Sequence, residues 1–335
     1  MSIVTRLINY GGMKMIGKRA YLVKERKFEI VEENIVPQKG QVLVKVEVCG
    51  LCNWELNFWK GTGDYYTNYP QVIGHEWAGT VVELGEGVTN YKVGDKVTVL
   101  PGDTFEGFAE YVAVNENECY KLSADAIFEN SMGEPLKCIS TVISAATPRI
   151  GDYGVVLGCG AMGLWCVQAL CGNLLAGLIA IDIDDKKLEL AKKFGATHTV
   201  NSKTENAVER VKEITNGRMA DFLIEGTGLE SLLSSSADYL KLQGRLVVMS
   251  SYEDICKEFD FRTIFYRGID VKCAHPTHSD SPLNDMTRAV ALINNNVFRN
   301  EEIITHRFKL EEINEAFEIL ENKPKGYIKG VVVMN

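Results

Sequence analysis

The glycine-rich segment at residues 158–163 restricts the fold of this chain more than any other sequence feature. It reads Gly158-Cys159-Gly160-Ala161-Met162-Gly163 and lies between an apolar run at 155–157, which predicts a buried strand, and a helical pattern at 161–173. In such a turn the first glycine permits the tight bend. The second lets backbone amides approach a pyrophosphate, and the third lets the helix pack close to the sheet. The context favours a dinucleotide site over the alternative, a structural glycine turn in a flavodoxin-like sheet.

Strand and helix patterns alternate from about residue 148 onwards. The predicted strands are 178–182, 197–201, 221–225, 245–250 and 269–274, and the predicted helices between them are 185–194, 205–216 and 230–241. This alternation predicts an α/β fold with a doubly wound parallel sheet. Asp182 ends the strand after the glycine-rich turn, where a carboxylate can bind the adenosine ribose and would repel a 2′-phosphate. Asp182 therefore favours NAD over NADP.

The first third of the chain has β character instead. Strand patterns at 41–48, 77–84 and 96–100 are separated by turns rich in glycine and aspartate, which predicts a compact barrel or sandwich. After about residue 282, a helix at 285–294, a strand at 303–308, a helix at 310–322 and a strand at 327–334 could complete either domain.

Composition excludes several classes of function. The 335 residues carry a formal net charge of −9 without a long basic run, so we expect no nucleic-acid partner. No apolar stretch approaches the roughly 20 residues of a membrane span, and the N-terminal segment lacks the apolar core of a signal peptide. The nine cysteines do not indicate a disulfide framework in a chain of this length. We therefore expect a cytoplasmic protein with a small-molecule partner.

Three segments of the first domain carry candidate metal ligands: Cys49-Gly50-Leu51-Cys52, Gly74-His75-Glu76 and Glu134-Pro135. A CxxC often indicates a structural zinc or a redox pair, but a second CxxC is missing from this sequence. One thiolate, one imidazole and one carboxylate could form a three-ligand zinc site whose fourth position stays free for water or substrate. Spacing alone leaves this assignment open.

The motifs, taken together and in order, resemble the zinc-dependent medium-chain dehydrogenase family, in style its polyol (sorbitol-type) branch, from about residue 17 to residue 335. They are Val48-Cys49-Gly50-Leu51-Cys52, Gly74-His75-Glu76-Trp77-Ala78-Gly79, Gly85-Glu86-Gly87-Val88, Val93-Gly94-Asp95-Lys96-Val97, Glu134-Pro135-Leu136, the glycine-rich turn with Asp182, and Gly244-Arg245-Leu246-Val247.

The resemblance implies a GroES-like β-barrel catalytic domain, residues 1–137 and 278–335, and a Rossmann dinucleotide-binding domain, residues 138–277. It implies that Cys52, His75 and Glu134 bind zinc, while Glu76 lies behind the metal or exchanges as a fourth ligand. A homodimer or homotetramer is also implied. The residues expected at NAD are Gly158, Gly160, Ala161, Met162, Gly163, Asp182, Lys187, Thr227, Ser250, Ala274, His275 and Lys329.

Two departures from the family pattern matter. Residues 101–107 contain no cysteine, so we expect one catalytic zinc per chain and no structural zinc. Asn53-Trp54-Glu55 replaces the usual Gly-Ser/Thr-Asp, and an indole cannot relay a proton as a hydroxyl does. Glu55 could hold His75 in one tautomer, and Trp54 could be an apolar platform for a sugar or cyclitol ring. Glu76, metal-bound water or Lys137 could then relay the proton.

The predicted function is hydride transfer from a secondary hydroxyl of a polyol, sugar or cyclitol to NAD, with zinc as Lewis acid. An alternative is transient NAD-dependent oxidation that drives elimination or epimerisation, for which His275 and Lys137 leave room. A further alternative, from another functional class, is a non-catalytic binding protein with the same fold. The intact set of Cys52, His75, Glu134 and Asp182 argues against that reading, and also against metal-free quinone or enoyl reduction.

Overall fold

The computed structural model describes residues 15–62, 68–102, 105–252 and 255–334. The chain divides into two compact units: unit 1 comprises Met1–Glu134 and Ile304–Asn335, and unit 2 comprises Pro135–Ile303.

Unit 1 is built mainly from β-strands. Its elements are β1 (Met15–Lys24), β2 (Lys27–Ile35), β3 (Gln41–Gly50), α1 (Asn53–Lys60), β4 (Gln71–Val72), β5 (Trp77–Leu84), β6 (Lys96–Val99), β7 (Tyr111–Asn115), β8 (Cys119–Lys121), the start of α2 (Gly133–Ala146), and the C-terminal β15 (Ile304–Lys309), α9 (Ile313–Asn322) and β16 (Lys329–Val333). Seven strands form one sheet in the order β15-β16-β3-β5-β6-β8, with β7 paired to β3, and β2-β1-β4 form a second.

An aromatic cluster fills the core of unit 1. Phe317 of α9 is fully buried and its ring lies 4.9 Å from that of Phe28, 5.7 Å from Phe108 and 5.9 Å from Trp59, measured between centroids. Phe28 belongs to β2, Phe108 lies in the segment before β7, and Trp59 belongs to α1. The C-terminal segment therefore completes a core that the N-terminal part of the chain begins.

Unit 2 contains a six-stranded parallel sheet in the order β11-β10-β9-β12-β13-β14. Its elements are the rest of α2, β9 (Tyr153–Leu157), α3 (Ala161–Leu170), β10 (Gly177–Asp182), α4 (Asp185–Lys193), β11 (His198–Asn201), α5 (Ala207–Ile214), β12 (Ala220–Glu225), α6 (Glu230–Ser235), β13 (Leu240–Val248), α7 (Phe261–Arg267), β14 (Asp270–Cys273) and α8 (Pro282–Asn294). The strand order reverses between β9 and β12, which confirms the predicted doubly wound sheet. Within the part of the chain that is described, no helix is both long and apolar enough to cross a membrane.

One predicted helix is wrong at its C-terminal end. The helix predicted at 230–241 ends at Ser235, a 3₁₀ turn follows at Ser236–Tyr239, and β13 begins at Leu240. Leu240 is fully buried and pairs in parallel with Ala220. Strand pairing in the sheet thus outweighs a helical pattern that is only local.

The second boundary between the units lies after Ile303, whereas the sequence placed it between residues 277 and 278. Side-chain contacts explain the difference. Asp285 of α8 accepts a hydrogen bond from Thr141 of α2 at 2.8 Å, and Trp165 of α3 donates to Asn300 at 2.7 Å. The segment around α8 thereby belongs to unit 2.

Candidate active site

Strand pairing in unit 1 brings two of the candidate ligand segments together. Cys49 of β3 is paired with Trp77 of β5, and the Gly50 amide donates to the Glu76 carbonyl at 2.8 Å. Cys52 therefore lies beside His75 and Glu76. One potential ligand atom from each of these three residues lies within 4.8 Å of the other two. Within the described ranges, this is the only group of three or more His, Cys, Asp or Glu residues that could hold a metal ion.

Glu55 orients the imidazole of His75. The fully buried Glu55 carboxylate accepts the His75 backbone N–H at 2.8 Å with Oε1, and the same oxygen lies 2.8 Å from His75 Nδ1. Burial opposes protonation of His75, but the Glu55 charge raises the pKa of the imidazole well above its usual value. With Nδ1 bound to Glu55, Nε2 is the nitrogen available to a metal.

A buried ion pair holds Glu76. Its Oε2 lies 2.5 Å from Nζ of Lys329, and both side chains are almost inaccessible to solvent. Burial alone would lower the pKa of Lys329, but the Glu76 carboxylate raises it above the usual lysine range. A Cβ atom at Gly50 would overlap the Glu76 carboxylate, so a larger residue at this position would displace that carboxylate. The contact between Lys329 and a pyrophosphate stays a prediction.

Glu134 lies on the first turn of α2, with Oε2 3.6 Å from His75 Nε2. Its side chain is 16% exposed, against 3% for Glu76. The compact cluster thus contains Glu76 where the sequence-based ligand set has Glu134. The role of Glu134 as a ligand stays a prediction.

Trp54 is half-buried beside this cluster. Its ring centroid lies 5.1 Å from that of His75, in an edge-to-face arrangement at 87°. Phe58 and Phe105 lie at 4.6 Å and 5.6 Å from the same indole. Trp54, which stands where relatives carry a hydroxyl, is therefore part of an aromatic group.

In unit 2 the predicted dinucleotide residues collect at the carboxyl edge of the parallel sheet. Gly158 follows β9, Asp182 ends β10, Thr227 follows β12, Ser250 follows β13, and Ala274 follows β14. Gly160 is the N-cap of α3, which begins with Ala161, Met162 and Gly163. Lys187 lies on α4 and is partly exposed.

Asp182 organises the turn after β9. Its Oδ2 accepts the Cys159 amide at 2.7 Å, and its Oδ1 accepts the amides of Ile183 and Asp184 at 2.8 Å and 3.0 Å. The carboxylate is thus fixed between the glycine-rich turn and the end of β10. A fixed negative charge at this position suits ribose hydroxyls better than a phosphate.

Glu225 and Tyr252 lie at the same edge and were not among the residues predicted from the sequence. Glu225 is fully buried at the end of β12, and its Oε1 accepts the amides of Thr227 and Gly228 at 2.7 Å and 3.2 Å. Its Oε2 accepts the hydroxyl of Tyr252 at 2.6 Å. Burial and this hydrogen bond raise the pKa of Tyr252 well above its usual value. A glutamate at the end of an apolar strand was the available signal, but nothing nearby in sequence identified its partner.

Lys137 and His275 lie near each other in unit 2. Lys137 is buried and its ammonium donates to the carbonyl of Pro276. His275 and His278 are exposed, with ring centroids 4.9 Å apart. Burial, His278 and Lys137 together lower the pKa of His275. Their roles in catalysis or cofactor binding stay predictions.

Comparison with known proteins identifies the family. A model described as alcohol dehydrogenase GroES-like domain matches residues 38–124, and one described as zinc-binding dehydrogenase matches residues 161–295. A D-xylulose reductase of Scheffersomyces stipitis is 27% identical over 92% of this chain and 96% of its own. An (R,R)-butanediol dehydrogenase of Bacillus subtilis is 30% identical over 69% of this chain and 75% of its own. The chain belongs to the zinc-dependent medium-chain dehydrogenase family, in its polyol branch.

The solved structures agree with this assignment. The crystal structure of 2R,3R-butanediol dehydrogenase from Bacillus subtilis is similar with a TM-score of 0.82 and 26% identity, over 95% of this chain and all of that one. The expected GroES-like domain and Rossmann sheet are thereby confirmed. The protein is an alcohol or polyol dehydrogenase that uses zinc and a nicotinamide dinucleotide.

The donor set in unit 1 of this dehydrogenase fits zinc. Thiolate, imidazole and carboxylate are the usual zinc ligands, and Cys52, His75 and Glu76 supply one of each. Burial and the charge of Glu76 raise the pKa of the Cys52 thiol, and a bound cation would favour its thiolate form. Glu55 fixes the imidazole as outer partners of zinc ligands commonly do.

Proposed function

We propose that this dehydrogenase oxidises a secondary hydroxyl of a polyol, sugar or cyclitol, with NAD as hydride acceptor. The observation that carries this proposal is the cluster of Cys52, His75 and Glu76, supported from outside by Glu55 and Lys329. It provides a cation site with three protein ligands, the number that leaves a catalytic zinc one open position. The relatives named for D-xylulose and butanediol support a hydroxylated substrate.

Zinc, when bound, supplies a Lewis acid that lowers the pKa of the substrate hydroxyl. The residues around it divide the remaining tasks. Cys52, His75 and Glu76 would hold the ion, and Lys329 balances the charge of the buried Glu76 carboxylate. Glu134 is the more accessible carboxylate and lies on the side of His75 Nε2, where it can contact the substrate hydroxyl or ligate the metal.

The proton must leave by a route that does not begin at Trp54, because an indole N–H donates but does not accept. Glu76 and Lys137 are the candidates from this chain. Oxygen Oε2 of Glu76 is occupied by Lys329, and Lys137 is held by the Pro276 carbonyl, so each would act within an existing hydrogen bond.

NAD rather than NADP is proposed as the acceptor because of Asp182. Three backbone amides fix its carboxylate at the end of β10. A 2′-phosphate placed there would be repelled by the carboxylate, because these hydrogen bonds hold the side chain in place.

The test is to measure zinc per chain and the reduction of NAD and NADP across a panel of polyols, cyclitols and sugars. We expect about one zinc per chain and at least about tenfold higher kcat/KM with NAD. Protein that contains less than about half a zinc and gains no activity from added zinc would contradict the catalytic-metal proposal. Preference for NADP would contradict the role given to Asp182.

A further inference from the structure

Three aromatic side chains contact one another beside the cluster of Cys52, His75 and Glu76 in unit 1, which we call the metal-ligand cluster. We call Trp54, Phe58 and Phe105 the aromatic wall. Trp54 lies at its centre, with ring centroids 4.6 Å from Phe58 and 5.6 Å from Phe105, and all three side chains are half-buried. Part of the wall therefore remains accessible to a ligand.

The wall is adjacent to the place where the reacting carbon must be. Trp54 follows Cys52 by two residues on α1 and packs edge-to-face against His75 at 5.1 Å. Because both neighbours belong to the ligand cluster, a substrate whose hydroxyl reaches that cluster also meets the indole. Trp54 is thus a contact for the carbon skeleton rather than for the proton.

Phe105 is held in position by its own neighbours. Glu106 is ion-paired with Arg19, whose guanidinium also lies 3.3 Å from Oε2 of Glu33. The next residues lie along the segment before His75: the Gly107 amide donates to the Gly74 carbonyl at 2.8 Å, and the Phe108 amide donates to the Ile73 carbonyl at 3.0 Å. This part of the wall is therefore preorganised.

The rings of Phe58 and Phe105 are inclined to the Trp54 indole by 70° and 43°, so the wall is apolar but not flat as a whole. The indole itself is the flat apolar face that can discriminate by shape between hydroxylated ligands. A six-membered ring presents C–H groups on its faces and polar groups at its rim, so it can lie against aromatic rings while its hydroxyls stay hydrogen-bonded. An open-chain polyol must lose the freedom of several rotatable bonds to do the same, which weakens its binding. A preformed wall thus favours the ring.

We propose that the aromatic wall makes this dehydrogenase selective for ring-shaped substrates, cyclitols or sugars in their ring form, over open-chain polyols. The proposal rests on the proposed function, because it concerns the substrate of the same site. Trp54 is assigned as the residue that determines this specificity, and the ion pair between Arg19 and Glu106 as the contact that keeps Phe105 beside it.

The test compares myo-inositol with sorbitol, which carry the same number of hydroxyls on a ring and on an open chain. For the zinc-loaded protein with NADH, calorimetry measures the binding of each compound. Steady-state assays with NAD measure kcat and KM separately. The variants are Trp54→Ser, the conservative Trp54→Phe, and Asn57→Ser as a control on the same helix. Circular dichroism and thermal unfolding verify that each variant is folded.

We expect wild-type protein to bind the ring compound about tenfold more tightly, a preference that W54S loses mainly through KM and W54F largely keeps. N57S should behave as wild type. Equal binding of both compounds by wild type, or an unchanged preference in folded W54S, would overturn the proposal while NAD reduction still supported the proposed function. Selective binding without NADH formation from any compound would instead contradict the proposed function alone.

Discussion

Glu76 is the residue on which the charge balance of the metal-ligand cluster depends. It is 3% exposed, its Oε2 lies 2.5 Å from the Lys329 ammonium, and it belongs to the group with Cys52 and His75. A neutral amide at this position would leave Lys329 with an uncompensated buried charge and would remove one anionic member of the proposed ligand set. Breaking a buried pair in this way commonly costs about 3–5 kcal/mol.

The variants Glu76→Gln and Glu134→Gln separate the two candidate carboxylate ligands. We expect E76Q to lower zinc affinity by at least about tenfold and to reduce thermal stability, because it removes both a ligand and the partner of Lys329. E134Q should keep the metal and lose activity instead. Competition with a chelator, followed by metal analysis, measures the affinity. Loss of zinc in E134Q together with normal zinc in E76Q would favour the sequence-based set of Cys52, His75 and Glu134.

Tyr252 provides a second residue-scale prediction. Its hydroxyl donates to Glu225, which holds the amides of Thr227 and Gly228 at the sheet edge. In Tyr252→Phe this charged hydrogen bond is lost, and we expect the NADH dissociation constant to rise about three- to tenfold. NADH fluorescence titration measures it, and the exposed Tyr266→Phe is the matched control. An unchanged affinity would mean that Glu225 organises the loop without Tyr252.

At the scale of elements, the turn between β9 and α3 assigns different tasks to two glycines. A Cβ at Gly163 would overlap the carbonyl oxygen of Gly158, whereas a Cβ at Gly160 would meet no described atom within 4 Å. Gly163 therefore serves the packing of the helix on the strand. Gly160, at the N-cap of α3, keeps the approach to that helix end free.

Alanine at these two positions should have opposite effects. Gly163→Ala overpacks backbone against backbone, so we expect a loss of about 1–3 kcal/mol in the free energy of unfolding. Gly160→Ala should change stability by less than about 1 kcal/mol and weaken NADH binding about tenfold, because the methyl group occupies the place of the pyrophosphate. Denaturant unfolding and NADH titration distinguish them. Wild-type NADH affinity in G160A would contradict a pyrophosphate site at this turn.

The elements that could be predicted are those whose burial follows a simple period. The strand expected at 77–84 is β5 as predicted, and the strand expected at 178–182 is β10 with one more residue. The short helix α1 was missed. Its buried residues are Glu55, Leu56 and Trp59, and one of these is a carboxylate buried in order to hold His75. Such a helix shows no clear apolar face in sequence.

The metal-ligand cluster could be predicted only in part for a similar reason. The motifs offer Cys49, Cys52 and His75 as candidate ligands, and Cys52 was preferred to Cys49 only because of the family resemblance. The choice between Glu76 and Glu134 depends on Lys329, which is 253 residues away from Glu76 and reaches it because β16 pairs with β3. The sequence around Glu76 or Glu134 contains no signal that predicts this strand pairing.

At the scale of the whole molecule, the two units differ in how the chain builds them. Unit 2 is one continuous segment, but unit 1 needs residues 304–335 as well as 1–134. Ile313, Phe317 and Val332, all fully buried in the core of unit 1, come from the C-terminal segment.

Truncation after Ile303 should therefore unfold unit 1 and spare unit 2. We expect limited proteolysis of the shortened chain to leave a fragment close to residues 135–303, and that fragment should still bind NADH. Mass spectrometry identifies the fragment, and the full-length chain is the control. Protection of residues before Glu134 in the truncated chain would show that unit 1 folds without its C-terminal part.

The surface of unit 2 contains a group of exposed aromatic side chains next to a strand edge. β14 lies at the edge of the six-stranded sheet, and α7, immediately before it, exposes Phe261, Phe265 and Tyr266 at 66%, 70% and 73%. Large exposed aromatic side chains beside an open strand edge are typical of an interface. We expect a homo-oligomer through this surface, and the double substitution F265S/Y266S should shift light scattering towards the monomer. Ile150→Ser is the control, at an apolar residue elsewhere in unit 2 that is 87% exposed. A monomeric wild type would contradict the prediction, and an oligomer that survives the double substitution would place the interface on another surface.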